Sequence, residues 1–230
     1  MFTRTRLGAA ALAVAGLLFV LYPAVRPWRD ESTADGARAA MSSGAWVASH
    51  LFAMLGFILV ALGLLALRDL VSGTRAEPVA YAAVVTWLIG AGLTLPYYGA
   101  EDFGLNAIAR KAADQQFDLL DLVNSVRFSP VPATVFGLGL LGLGVAAVLA
   151  AVAIWRSGVL PRYSGVLFAV GFALFIPQFY GPPAVRIAHG VLVGIGCVWM
   201  AVALASTPSR SRTSGAAAPV AAVRTDSRVD

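Results

Sequence analysis

The sequence predicts an all-α membrane protein with six transmembrane helices and one amphipathic helix on the extracytoplasmic side. Three observations predict it. Hydrophobic residues make up 59% of the chain and charged residues 13%, whereas soluble domains run near about 45–50% and about 25%. The apolar residues fall in six blocks, at 7–25, 45–67, 79–100, 130–155, 164–181 and 184–205. Each block is near the ~20 residues that cross a ~30 Å hydrocarbon core. Between the third and fourth, polar and apolar residues alternate with helical period over 101–129.

Spanning segments must satisfy their own backbone polar groups, and a barrel would show alternating strands of about ten residues, so all six blocks read as helices. The first follows Arg4 and Arg6 and so resembles a signal peptide. Leu21-Tyr-Pro-Ala-Val-Arg26 lacks a small-x-small cleavage site, and the block reads as an uncleaved first helix. In 101–129, Asn106, Arg110, Asp114, Asp118, Asp121 and Ser125 mark one face. Leu105, Ile108, Ala112, Leu119, Leu122, Val123 and Val126 mark the other. Gln115 and Gln116 interrupt the apolar stripe, and Glu101 or Asp102 is placed to cap its start. Pro96 and Pro177 should kink or end their helices. The Ser/Thr/Pro/Ala/Arg-rich tail 206–230 reads as disordered and cytoplasmic.

Orientation follows from the basic residues. With both termini cytoplasmic, ten fall inside and seven outside, and the short loops 68–78 and 156–163 each carry paired arginines. This places the chain in the plasma membrane with the bilayer as its first partner. The arginines are single and scattered, without the clustering that nucleic-acid binding needs. Cys197 is alone and reads as a small buried hydrophobe.

Chemistry is harder to find. The chain has only two histidines, His50 and His189, each placed ~7–8 Å below the outer boundary at 1.5 Å per residue. Ionisable groups at membrane depth point to function. The same level collects Tyr97, Tyr98, Glu101, Asp102, Arg127, Gln178, Tyr180 and Arg186. One reading is a polar pocket at the outer leaflet lined by these residues. Glu101, His50 and His189 are its candidates for acid–base work. Haem or metal ligation by His50 and His189 is a weaker alternative, because no H-x-x-H spacing accompanies them, and no cofactor is predicted. The plain alternative is two histidines hydrogen-bonded within the bundle.

Glycines mark packing faces: Gly190-Val-Leu-Val-Gly194 is a GxxxG stretch, and Gly137, Gly139, Gly142 and Gly144 line the fourth block. Such faces serve within one bundle or between copies of a homo-oligomer. Gly137-Leu-Gly139-Leu-Leu-Gly142 matches G-x-G-x-x-G, but no βαβ unit surrounds it. Pro-Ala-Val-Arg occurs at 23–26 and again at 183–186. Each copy precedes a histidine-bearing block, which suggests a duplicated two-helix hairpin.

The stretch from Trp155-Arg-Ser-Gly-Val-Leu-Pro-Arg-Tyr-Ser-Gly-Val-Leu167 to Ala184-Val-Arg-Ile-Ala-His-Gly-Val-Leu192 resembles small integral membrane proteins of high-G+C bacteria grouped under domains of unknown function. That resemblance implies a polytopic helical protein and carries no activity. Size and helix number are also loosely similar to membrane-bound terpene cyclases, by analogy only. Three functions follow as expectations. The first is binding of a lipid or other apolar ligand at the outer leaflet. The second is an intramembrane enzyme acting on an isoprenoid-like lipid, and the third is a small transporter. Transport is disfavoured, because no charge lies near the midplane and no block is broken there.

Overall fold

The computed structural model describes residues 4–112 and 117–207, and these are helical, with no strand among them. In chain order they form α1 (Arg4–Val25), α2 (Ala34–Met41), α3 (Gly44–Leu70) and α4 (Glu77–Gly99). A π-turn over Ala100–Gly104 runs straight into α5 (Leu105–Lys111). Then come α6 (Leu119–Phe128), α7 (Pro130–Ser157), α8 (Val166–Ala173), a 3₁₀ turn (Pro177–Tyr180) and α9 (Pro183–Ser206). Among the described residues, five helices are long and apolar enough to cross a membrane: α1, α3, the continuous Glu77–Lys111 rod, α7 and α9. Their outer surfaces fit that environment. Leu62, Leu138, Leu141, Ile195 and Val202 are each about half exposed, and a belt of that kind on a soluble surface would drive association.

The pairs α1–α3, α4–α7 and α1–α9 pack antiparallel, and small residues set the contacts. Gly8 faces Ala66 and Gly63 faces Leu12 between α1 and α3. Gly90 faces Gly139 and Gly142 between α4 and α7, and Gly16 faces Gly194 between α1 and α9. Lipid supplies no hydrophobic drive between helices, so close van der Waals approach of this kind carries the association. The GxxxG face of α9 is taken up inside the chain, with Gly190 against Pro23 and Phe19. Rings of Phe19, Phe57, Trp87, Phe168, Phe172 and Phe175 fill the centre, and the indole N–H of Trp87 donates to Phe57 O at 3.0 Å.

The block 164–181 is not one regular helix. It is α8, a turn over 174–176 and the 3₁₀ turn, and it lies antiparallel to both neighbours. Gly165 packs on Ala151 and Gly144 on Phe172, while Gly171 packs on Val193 and Gly196 on Phe168. Pro177 opens the 3₁₀ turn, as a residue without an N–H suits a first position. Pro96 does not end its helix, because α4 continues past it into the π-turn.

The segment 101–129 also differs from a single amphipathic helix. Residues 100–111 prolong α4, and Asp118 starts α6 anew by accepting from the Asp121 N–H at 3.1 Å. Glu101 and Asp102 cap nothing, since they sit inside the continuous rod. Asp114, Gln115 and Gln116, and the expected tail from 208 onward, lie outside the described residues. The short helix α2 has no counterpart in the apolar blocks. Thr33 caps its start and Ser43 caps α3, and each hydroxyl accepts a helix N–H at 3.1 Å. Ala37, Ala40 and Met41 of α2 join Trp46, Leu105, Ala109, Leu119 and Val123 in a second apolar cluster that roofs one end of the bundle. At the other end, turns with left-handed Gly73 and Gly158 close the hairpins. There Arg68 pairs with Glu77 at 3.2 Å, and Arg75 donates to Arg156 O at 3.1 Å.

Candidate functional site

At that end, several helices, the two short turns and the loop after α1 converge on a cavity of about 740 Å³. α1 contributes Tyr22 and leads into Arg26, and the loop after it brings Trp28, Arg29 and Glu31. α3 brings His50, the end of α4 and the π-turn bring Tyr97, Tyr98 and Glu101, and the end of α6 brings Arg127. Apolar lining is added by Phe136, Gly137 and Leu140 of α7 with Ile176 and Phe179.

The π-turn explains how Glu101 reaches this place. In an α-helix the N–H of Leu105 would bond Glu101 O. Here it bonds Ala100 O, five residues back. The freed Glu101 carbonyl accepts the indole N–H of Trp46 at 2.8 Å. Trp46 is fully buried and meets two cations, with the Arg26 guanidinium 4.5 Å and that of Arg127 5.7 Å from its ring.

The charged groups form an unbroken chain. Arg127 holds Glu101 with two parallel hydrogen bonds, Nε to Oε1 at 2.6 Å and Nη2 to Oε2 at 2.8 Å. Its third nitrogen donates to Glu31 Oε2 at 2.8 Å. The other Glu31 oxygen accepts from Arg26 Nη2 at 2.8 Å, and Arg26 Nη1 lies 3.2 Å from His50 Nε2. His50 Nδ1 is 2.8 Å from Trp46 O. A carbonyl only accepts, so Nδ1 carries the proton and Nε2 accepts from Arg26. Two arginines and two glutamates therefore cancel in a low-dielectric setting where an unpaired charge would be expensive. Burial works against the Arg127 charge, but its bonds to Glu101 and the charges of Glu101 and Glu31 outweigh it and hold its pKa above the ordinary arginine value.

The sequence-derived candidates separate into two groups. Glu101, His50, Tyr97, Tyr98, Arg127, Tyr180 and Arg186 line the cavity. Glu101 and His50 lie 4.0 Å apart, yet both Glu101 oxygens are engaged by Arg127, and Trp46 and Arg26 engage the two ring nitrogens. Tyr97 donates to Arg127 O at 3.2 Å and stacks on Phe136, while Tyr98 donates to Tyr22. Tyr180 stands on the rim, 88% exposed.

His189 and Gln178 lie elsewhere, beside a neighbouring void of about 10 Å³ under Phe19 and Phe175. His189 Nε2–H donates to Gly171 O at 2.8 Å, and its ring meets Phe175 edge to face. His50 and His189 thus have separate partners, which accounts for each as a hydrogen-bonded bundle histidine. Asp102 is fully buried and is not among the residues that line the cavity. Its two oxygens have no hydrogen-bond partner among the described residues. Nor do any three His, Cys, Asp or Glu among those residues group to hold a metal ion.

Sequence reasoning missed Arg26, Arg29, Glu31 and Trp46. The first three read as loop charges that set topology, and Trp46 as an apolar helix start. One signal was available: Arg26 and Arg186 end the two Pro-Ala-Val-Arg copies, and both line the cavity. The copies are not structurally equivalent, since the first closes α1 and the second opens α9. No protein family, curated protein or solved structure matches the chain.

Proposed function

We propose that this is a multi-pass plasma-membrane protein that binds a lipid or similar amphiphile in the 740 Å³ cavity, at the level of the outer leaflet, with both termini cytoplasmic. In this reading 166–180 is the sixth crossing, its 3₁₀ tightening stretching a short segment across the bundle. The observation that carries the proposal is the construction of the cavity. A hydrogen-bonded charged clasp and an aromatic and aliphatic surface line the same space, which is the combination an amphiphile needs. The size also fits, because ligand pockets run about 300–1,000 Å³. The clasp favours binding over catalysis, since its acid and its imidazole are already committed to partners.

Gly137 provides the test. It lines the cavity, and a side chain added there meets nothing within 4 Å. Gly137→Trp should fold normally and fill the space. Lipid extracted from the purified wild-type protein and analysed by mass spectrometry should contain a tightly retained species that the variant lacks. The same retained lipid in equal amount in both proteins would refute the proposal.

A further inference from the structure

The cavity is not electrically balanced. Four arginines line it, Arg26, Arg29, Arg127 and Arg186, against two carboxylates, Glu31 and Glu101. Both carboxylates are consumed by Arg26 and Arg127. Arg29 and Arg186 face the same space, and among the described residues neither pairs with an acid.

Arg186 is held ready. Its guanidinium lies 4.9 Å from the Trp28 ring and 5.1 Å from the Phe179 ring. Its Nε donates to Gln178 Oε1 at 3.3 Å, which leaves both terminal nitrogens without a hydrogen bond among the described residues. A stacked guanidinium with its outer fork free is the arrangement that binds a phosphate or carboxylate with two parallel bonds. The stacking also lowers the entropy lost on binding. Arg29 is exposed on the rim of the same cavity.

We infer that the occupant is an anionic lipid carrying a phosphate head, with the phosphate received by the Arg186 fork and Arg29 and the chain lying along Phe136, Leu140, Ile176 and Phe179. This rests on the amphiphile reading of the cavity. The apolar wall speaks for a lipid over a soluble phosphate ester, because a head alone would leave that wall unfilled.

The experiment titrates the detergent-purified full-length protein with phosphatidic acid, with diacylglycerol of identical chains and with inorganic phosphate, reading bound species by native mass spectrometry. Phosphatidic acid should bind at least about tenfold more tightly than diacylglycerol, a gap of about 1.4 kcal/mol. That preference should shrink as salt is raised. Arg186→Gln should weaken phosphatidic acid by about tenfold and leave diacylglycerol unchanged. Arg29→Gln, at an exposed position that folding does not need, should weaken phosphatidic acid severalfold. Equal affinity for the two lipids in the wild-type protein would overturn the anionic head while leaving the cavity a lipid site. Binding of neither lipid would overturn the amphiphile reading as well. Inorganic phosphate binding as tightly as phosphatidic acid would overturn the lipid assignment, since the chains would then contribute nothing.

Discussion

Arg127 joins three things at once: both oxygens of Glu101, one oxygen of Glu31 and, through its carbonyl, the Tyr97 hydroxyl. Its replacement leaves two carboxylates facing each other's field in a half-dry site. Breaking one side of a buried pair costs roughly 3–5 kcal/mol, so Arg127→Met should lower the thermal midpoint of the detergent-purified protein by many degrees. Arg127→Lys should recover little, because a single ammonium cannot reproduce the two parallel bonds. A melting curve for Arg127→Lys that matches wild type would show the fork to be dispensable. The sequence places Arg127 in the polar layer near the outer boundary, but nothing in it links Arg127 to Glu31. What pairs them is 96 positions of separation closed by the fold.

Helices meet here through missing side chains. A methyl group on Gly90 would lie 2.8 Å from Leu143 N and 2.9 Å from Gly139 O, so α4 and α7 would have to part. On the same helix, Gly92 has nothing within 4 Å. Gly90→Ala should therefore destabilise by about 1–3 kcal/mol through overpacking, and Gly92→Ala should be neutral or gain up to about 1 kcal/mol from helix propensity. Chemical unfolding of the two variants in one detergent checks the contrast, and equal midpoints would refute it. The small-residue faces and the long helices were readable from sequence because composition and period record them directly. α2 was not, since eight residues with Ala37, Ala40 and Met41 turned inward make too short a pattern, and only its cap Thr33 announces it. The segment 101–129 misled for a related reason. Its helical period survives from α5 to α6, so the break is marked chiefly by the Asp118 cap.

At the scale of the whole molecule, charge among the described residues is confined to the two ends and the clasp occupies one of them. That polarity was legible in the sequence as a layer of polar residues at one level. Which members share a cavity was not, because His50 and His189 stand equally far from their helix starts but on helices that turn them toward different partners. The proposed sixth crossing can be tested with two tyrosines at opposite ends of one segment. Tyr163 is 55% and Tyr180 88% exposed, while the native thiol of Cys197 is fully buried. In intact cells an impermeant maleimide should label Tyr180→Cys at once, and Tyr163→Cys only after the membrane is opened. Labelling of both from outside would remove 166–180 from the set of crossings. The π-turn, finally, makes the rod Glu77–Lys111 an α-helix with one surplus residue. At 3.6 residues per turn that surplus advances everything beyond it by about 100° around the axis. The phase of α4 turns Trp87 and Gly90 toward the bundle, and the advanced phase turns Leu105 and Ala109 toward the roof. A single inserted position thus lets one continuous rod serve two cores, with Glu101 at the step between them.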